Sequence, residues 1–336
     1  MNDAELDAIA DAVVRRLKRN PARLPDGGLR VVSGGEKGGT GACAAPLPAA
    51  PAGPRPDGVG RPLEDLSWRG PKPQLAAWTP AAGPRRVADF VDHTLLKAEA
   101  TRADILKLCG EAREHRFAAV CVNPVWVELC ARELAGTGVA VASVCGFPLG
   151  ATPSTVKAME AAEAAARGAT EVDMVAAIGH LRGGEWAYVE DDIRAVVEAA
   201  PRALVKVILE TAVLASEEIV KASAVAKLAG AHFVKTSTGF HAAGGATTEA
   251  VRLMRLTVGD DLGVKAAGGV RDCATALAMI GAGASRIGTS SGVAFVGCLG
   301  PAPLSLAELL AKPEEHAAAC KTGTCAVAAP GGVQAY

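Results

Sequence analysis

A closed (β/α)8 barrel is the fold that residues 86–312 predict, and three features of the chain lead to it. Short β-branched runs bounded by Gly or Asp alternate with longer stretches of helical period, the pattern of a parallel sheet with covering helices. Eight such runs occur, at 88–92, 117–122, 139–145, 170–175, 203–209, 231–236, 262–267 and 284–288. Eight units in about 210–220 residues fit a closed TIM-type barrel better than an open doubly wound sheet. The open sheet would call for a Gly-x-Gly-x-x-Gly turn after its first strand, and Asp92-His93-Thr94 is nothing like one. Helix punctuation agrees. Thr101 and Asp104 form a capping box ahead of Ile105 and Leu108, and Gly168, Gly230 and Gly281 stand where helices end.

Ahead of the barrel, residues 1–20 predict an amphipathic helix. Leu6, Ile9, Ala10, Val13, Val14 and Leu17 make one apolar stripe. Asp3 caps its start, Arg15, Arg16 and Lys18 complement the dipole at its end, and Asn20-Pro21 stops it. A helix this short is marginal alone in water, so the stripe calls for a binding surface. Residues 21–85 are rich in Pro, Gly and Ala and poor in large apolar side chains, which predicts a mostly disordered linker. Residues 313–336 read as a flexible tail. A terminal amphipathic helix on a Pro/Gly tether resembles the encapsulation peptides that load enzymes into bacterial microcompartments, and Met1-Asn2-Asp3-Ala4-Glu5-Leu6 is similar to several of them. That resemblance implies a shell protein as partner and a microcompartment lumen as location. Packing on the barrel, oligomerisation and a cleaved transit peptide remain as alternatives, the last disfavoured by the acidic residues.

Composition narrows the rest. Half of the 336 residues are hydrophobic, enough for a sizeable core, and the formal net charge is −1. Nothing in that balance suggests nucleic acid or an anionic membrane as partner. No apolar run is long enough to span a bilayer. The nine cysteines lack metal-ligand spacing and read as reduced thiols in a cytoplasmic protein. The six histidines lack His-x-x-x-His spacing, so no metal is expected, and His93 reads as a hydrogen-bonded core residue.

In a barrel the chemistry gathers at the C-terminal ends of the strands. Taken in turn, those ends offer Asp92 and Thr94, Cys121 and Asn123, Asp173, Lys206 and Glu210, Lys235, and Lys265. Lys235 closes the apolar run Ala231–Val234, where desolvation disfavours its ammonium form. An acidic partner, a route to solvent or a depressed pKa would accommodate it, and the last makes a nucleophile for a carbonyl carbon. Lys265 occupies the same place in the next strand, and two ammonium groups facing one cavity push one of them towards neutrality. Asp173, flanked by apolar residues, needs a cationic partner. Lys206 is a third buried lysine, expected to pair with Glu210 or Asp173. Cys121 is an accessory candidate, although a thiol there is read first as packing. For phosphate, Gly268 and Gly269 end the seventh strand, and Gly288, Ser290 and Ser291 end the eighth before a short helix. Barrels commonly bind phosphate at that place. Thr238 and Gly239 complete the expected cradle.

Phe-Val-Lys-Thr-Ser-Thr-Gly (233–239), Lys-Ala-Ala-Gly-Gly-Val-Arg (265–271), Glu-Val-Asp-Met-Val (171–175) and Asp-His-Thr-Leu-Leu-Lys (92–97) together resemble the signatures of the 2-deoxyribose-5-phosphate aldolases. The resemblance runs in the family's order over roughly residues 86–300. It implies a cofactor-free class I aldolase that interconverts 2-deoxyribose 5-phosphate with acetaldehyde and glyceraldehyde 3-phosphate. It further implies Lys235 as the Schiff-base nucleophile, Asp173 as the proton shuttle, Lys265 as the group that perturbs Lys235, and a homodimer. Some family members carry a lysine directly after the Thr-Gly, where this chain has Phe240, so phosphate affinity is expected to rest on backbone more than on charge. The chain ends on Tyr336, whose phenol could assist proton transfer if the tail folded over the site. Two other readings stay open: the same iminium chemistry on another aldehyde pair, and a catalytically dead barrel that binds a shell protein through residues 1–20.

Overall fold

The structure, a computed structural model, describes residues 86–298 and residue 310. The expected helix at 1–20, the linker at 21–85, the tail at 313–336 and Tyr336 lie outside the described residues. Eight parallel strands close into one barrel in sequence order. They are β1 (Val91–Leu95), β2 (Ala119–Val122), β3 (Ala140–Cys145), β4 (Glu171–Val175), β5 (Leu204–Ile208), β6 (Phe233–Lys235), β7 (Gly263–Ala267) and β8 (Arg286–Thr289). The helices are α1 (Arg102–His115), α2 (Val127–Glu133), α3 (Ser154–Ala166), α4 (Ile178–Arg182), α5 (Trp186–Ala199), α6 (Ser216–Leu228), α7 (Thr248–Val258), α8 (Cys273–Gly281) and α9 (Gly292–Cys298).

Seven strands fall within about two residues of their predicted limits, and the first does not. Residues Val87–Phe90 form a 3-10 turn, and β1 begins after it, at Val91. The apolar run around Val87 reads as a strand, but the Arg86 backbone N–H donates to Asp89 Oδ2 at 2.8 Å and its guanidinium to Oδ1 at 2.7 Å, closing the turn. Val87, Ala88 and Phe90 are thereby buried in the core.

The helices form where the pattern of their apolar faces and caps allows. Thr101 accepts the Asp104 N–H while Asp104 Oδ2 accepts the Thr101 N–H at 2.9 Å, the expected capping box of α1. Thr247 and Asp272 are the N-caps of α7 and α8, their side chains accepting the N–H of Ala250 and of Thr275. α8 runs through Gly281, and the left-handed residue that follows it is Gly283, φ 110°. On α5, Val189, Ile193, Val196 and Val197 face the barrel and are buried, each stabilising by about 1.5–3 kcal/mol. Truncating the fully buried Ile193 to Ala costs about 2–5 kcal/mol. Lys157 of α3 and Asp192 of α5 join these helices through a buried ion pair of 2.6 Å. The main core thus lies between the strands and the helices. A second, small apolar cluster (Leu96, Cys121, Ala142 and Val144, with Phe147 against it) is separate from it.

Candidate active site

Side chains alternate along a strand, so residues two apart share a face. Glu171 and Asp173 on β4 are such a pair, and the register sets Asp173 beside Lys206 on β5 and Lys235 beside Lys265 on the adjoining β6 and β7. Together with Asp92 of β1 and Arg286 of β8 they form one ion network inside the barrel. Lys206 Nζ lies 2.6 Å from Glu171 Oε2 and 2.7 Å from Asp173 Oδ1. Lys265 Nζ lies 2.5 Å from Asp92 Oδ2 and 2.7 Å from Asp173 Oδ2. Lys235 Nζ donates to the same Asp173 oxygen at 2.8 Å. Arg286 donates to Asp92 Oδ1 at 2.6 Å and to Glu171 Oε1 at 3.0 Å.

Three carboxylates therefore face four basic groups, so full protonation leaves one positive charge uncompensated in a low-dielectric interior. The network resolves this at Lys235. Burial pulls its pKa below the ordinary lysine value, Asp173 opposes that, and the neighbouring Lys265 adds to the depression. For Lys265 burial also lowers the pKa, but the carboxylates of Asp173 and Asp92 outweigh it and hold the group well above the usual range. Lys206 is likewise raised, by Asp173 and Glu171 against burial. Burial raises the pKa of Asp173, yet Lys206, Lys235 and Lys265 keep its carboxyl well below the usual aspartate range. The arrangement holds an anionic carboxylate, two firmly charged ammonium groups and one amine biased towards the neutral, nucleophilic form.

The opposite wall is apolar. Leu96, Cys121, Ala142, Val144 and Phe147 come from the β1, β2 and β3 side. Cys121 is fully buried, and burial pushes its thiol up, so it is a poor nucleophile and a packing group. Above the strand ends Phe147 meets Phe240 edge to face, with centroids 5.2 Å apart.

The loops expected to hold phosphate divide into two groups. Gly239 and Gly268 come together: both are left-handed, and a Cβ on Gly268 would stand 3.4 Å from the Gly239 Cα and 3.1 Å from the Gly245 Cα. Gly269, φ 80°, follows directly, and Ser290 and Ser291 sit at the open end of β8, exposed and half-buried. Gly288 is elsewhere. It lies within β8, buried, and a Cβ there would come within 3.0 Å of Lys265 Cε, so the missing side chain makes room for the lysine. Thr238 is also differently engaged, since its N–H and its hydroxyl both donate to Glu210 Oε2, at 3.2 and 2.6 Å.

Lys235, Asp173, Lys265 and Lys206 are thus brought into one cluster. Glu210 does not pair with Lys206, because it lies beyond the end of β5 and turns its carboxylate to Thr238. Asp92 is not at a strand end either. The later start of β1 places it inside the barrel, level with Gly288 of β8. Glu171 and Arg286 are members of the network that residue reading missed. Glu171 stands two before Asp173 in an apolar run, a period-two signal that was available. His93 points outward, buried, with its Nε2 2.7 Å from Glu111 Oε2. Among the described residues no group of three or more His, Cys, Asp or Glu could hold a metal ion.

Comparison with known proteins matches residues 86–296 to the family model described as DeoC/LacD family aldolase. The deoxyribose-phosphate aldolase of Streptococcus pneumoniae serotype 19F (strain G54) is 58% identical over 207 residues, covering 62% of this chain and 94% of that protein. That of Enterococcus faecalis (strain ATCC 700802 / V583) is 58% identical over 208 residues, with the same coverage. Among solved structures, the deoxyribose phosphate aldolase from Aeropyrum pernix, described as a unique tetramer, superposes with a TM-score of 0.58 at 36% identity, covering 62% of this chain and 88% of that one.

Proposed function

The chain belongs to the DeoC/LacD aldolase family, and from that premise we propose that its barrel is a lyase that reversibly cleaves 2-deoxy-D-ribose 5-phosphate to acetaldehyde and D-glyceraldehyde 3-phosphate through a Schiff base on Lys235. The observation that carries the residue assignment is the buried Lys235 amine, 2.8 Å from Asp173 and sharing that carboxylate oxygen with Lys265.

In the synthetic direction the neutral Lys235 amine attacks the acetaldehyde carbonyl carbon, and the carbinolamine loses water to give an iminium. The iminium draws electrons from the adjacent methyl group, whose proton leaves towards Asp173, directly or through a water. The resulting enamine forms the new carbon–carbon bond to the aldehyde carbon of glyceraldehyde 3-phosphate, whose oxygen takes up a proton. Water then hydrolyses the iminium and frees the amine. Lys265 keeps Asp173 ionised and Lys235 deprotonated. The apolar wall around Cys121 and Val144 faces the two-carbon unit, and the loops at Gly239, Gly268, Gly269, Ser290 and Ser291 take the phosphate. No cofactor takes part.

Borohydride trapping with acetaldehyde, followed by peptide mass spectrometry, tests this. An ethyl adduct on the Lys235 peptide is expected. An adduct on Lys265 or Lys206 would keep the reaction class and overturn the site, and no adduct on folded protein would favour the scaffold reading.

Residues 1–20 are read as the segment that binds a microcompartment shell protein, which would put the enzyme in that lumen within the cytoplasm. The apolar stripe ending at Leu17 supports this. Diffuse signal from a fusion of residues 1–20 to a fluorescent protein, in cells making shells, would reject it. No helix among the described residues is long and apolar enough to cross a membrane. A homodimer is the expected assembly, supported by large apolar side chains left exposed on the surface, Val125, Leu149 and Met159 among them, and light scattering checks it.

A further inference from the structure

Glu210 lies two residues beyond the end of β5 with φ and ψ both at 57°, a left-handed conformation that disfavours any residue with a Cβ. Among the described residues one other non-glycine residue does this, Arg116, and it ends helix α1, an ordinary place for that geometry. Glu210 ends no helix. Its side chain is buried at 1% exposure, and its Oε2 accepts both the N–H and the O–H of Thr238. Its Oε1 is buried with no hydrogen-bond partner among the described residues. Strained backbone and a half-satisfied buried carboxylate at one residue persist where the surroundings demand them, and such positions cluster at functional sites.

What the strain secures is the turn after β6. Thr236 Oγ1 donates to the Ala267 carbonyl at 2.9 Å and accepts the Ala267 N–H at 3.0 Å, tying the start of the turn to β7. Glu210 ties Thr238 to the end of β5. Thr238 Oγ1 in turn accepts the Phe240 N–H at 3.1 Å. Gly239, between these anchors, packs against Gly268, with Ser237 and Gly245 beside it: a Cβ on Gly268 would stand 3.4 Å from the Gly239 Cα, 3.3 Å from the Ser237 Cβ and 3.1 Å from the Gly245 Cα.

We propose that Glu210 is a positioning residue for the phosphate end of the substrate: by clasping Thr238 it holds the Thr238–Phe240 turn against the Gly268 loop. This rests on the aldolase reading above and names the device that gives the site its preference for a phosphorylated substrate. Thr238 then serves the cradle through Glu210, since both of its donors are already engaged.

The test uses the full chain and the kcat and KM of cleavage for 2-deoxyribose 5-phosphate and for unphosphorylated 2-deoxyribose. Glu210→Gly deletes the acceptor while letting the backbone keep φ 57° without strain, so the fold is retained. Its KM for the phosphorylated sugar is expected to rise about 100-fold, the scale on which small misplacements act, and the preference for the phosphorylated sugar to fall by the same factor. Glu210→Gln keeps an oxygen able to accept both Thr238 donors and is expected to restore the preference to within about 10-fold of the starting protein. Thr238→Val breaks the clasp from the other side and is expected to match Glu210→Gly, which decides the matter should that variant not fold. Equal losses on both sugars, an unchanged preference, or a Gln variant as poor as the Gly variant would each overturn the proposal. Borohydride trapping on the starting protein separates the two layers. No adduct on any lysine of the folded protein refutes the aldolase reading itself, whereas a Lys235 adduct with an unchanged preference in Glu210→Gly refutes only the role of Glu210.

Discussion

Replacing Lys265 with Met removes a charge from the centre of the barrel while keeping much of the side-chain volume. In the native network Lys265 and Lys235 both sit on Asp173 Oδ2, at 2.7 and 2.8 Å, so their nitrogens are no more than about 5.5 Å apart. At an effective dielectric near 20 that separation corresponds to a repulsion of about 3 kcal/mol, or about two pH units on the Lys235 pKa. Without Lys265, three carboxylates face Lys206, Arg286 and Lys235, and the ammonium form of Lys235 becomes the one that balances the interior. Its pKa therefore rises by about two units or more, and at a given pH below that value the neutral amine falls about 100-fold. The assay is the pH dependence of kcat/KM together with the rate of borohydride trapping. The acidic limb should move to higher pH by about two units, with activity recovering as the solution is made more alkaline. An acidic limb that stays in place, whether activity is lost or kept, would refute the charge argument. Stability should fall too, by at most the roughly 3–5 kcal/mol of a broken buried pair, because Asp92 keeps Arg286 and Asp173 keeps Lys206.

Asp173→Asn should cut kcat by about 10²–10⁴-fold and slow the exchange of acetaldehyde methyl protons with deuterated solvent, followed by NMR. The same variant has a pH signature. The depressed Asp173 pKa contributes stability that is complete above the ordinary aspartate range and is lost as pH falls through the folded value, so the stability gap between the two proteins should be constant from about pH 7 to 5 and narrow below about 4. Gly288→Ala drives a methyl group to within 3.0 Å of Lys265 Cε and 2.9 Å of the Ala267 Cβ, and a loss of about 1–3 kcal/mol is expected in urea unfolding. Phe240→Lys places a cation on a half-exposed turn beside Gly239 and should lower KM for the phosphorylated sugar about 3–10-fold, an effect that fades as salt is raised.

Much of this was readable from residue order because alternation along a strand is a strong rule. A charge in an apolar run, such as Lys206, Lys235, Lys265 or Asp173, has nowhere to point except into the barrel or against the helices, and these four point inward. Alternation does not say how far around the circle a side chain reaches. Arg286 crosses from β8 to Glu171 on β4, and no spacing in the chain announces a contact between residues so distant. Backbone conformation was equally hidden. Glu210 follows an apolar strand as naturally as a partner for Lys206 would, and only its left-handed φ sends it to Thr238 instead. The turn at Val87–Phe90 was hidden for the opposite reason: an apolar run suits a strand or a buried 3-10 turn alike, and the Arg86–Asp89 pairing decided between them.

The order in which the charges occur along the chain has its own consequence. The barrel charges of the first four strands are Asp92, Glu171 and Asp173, all acidic; those of the last four are Lys206, Lys235, Lys265 and Arg286, all basic. Neither half can close on itself without stranding like charges in an apolar setting, and each is the counterion of the other. The two half-barrels are thereby made for mutual attraction and unfit for solitary folding. A chain nicked between β4 and β5 should reassociate through its interior, and more strongly at low salt than at high.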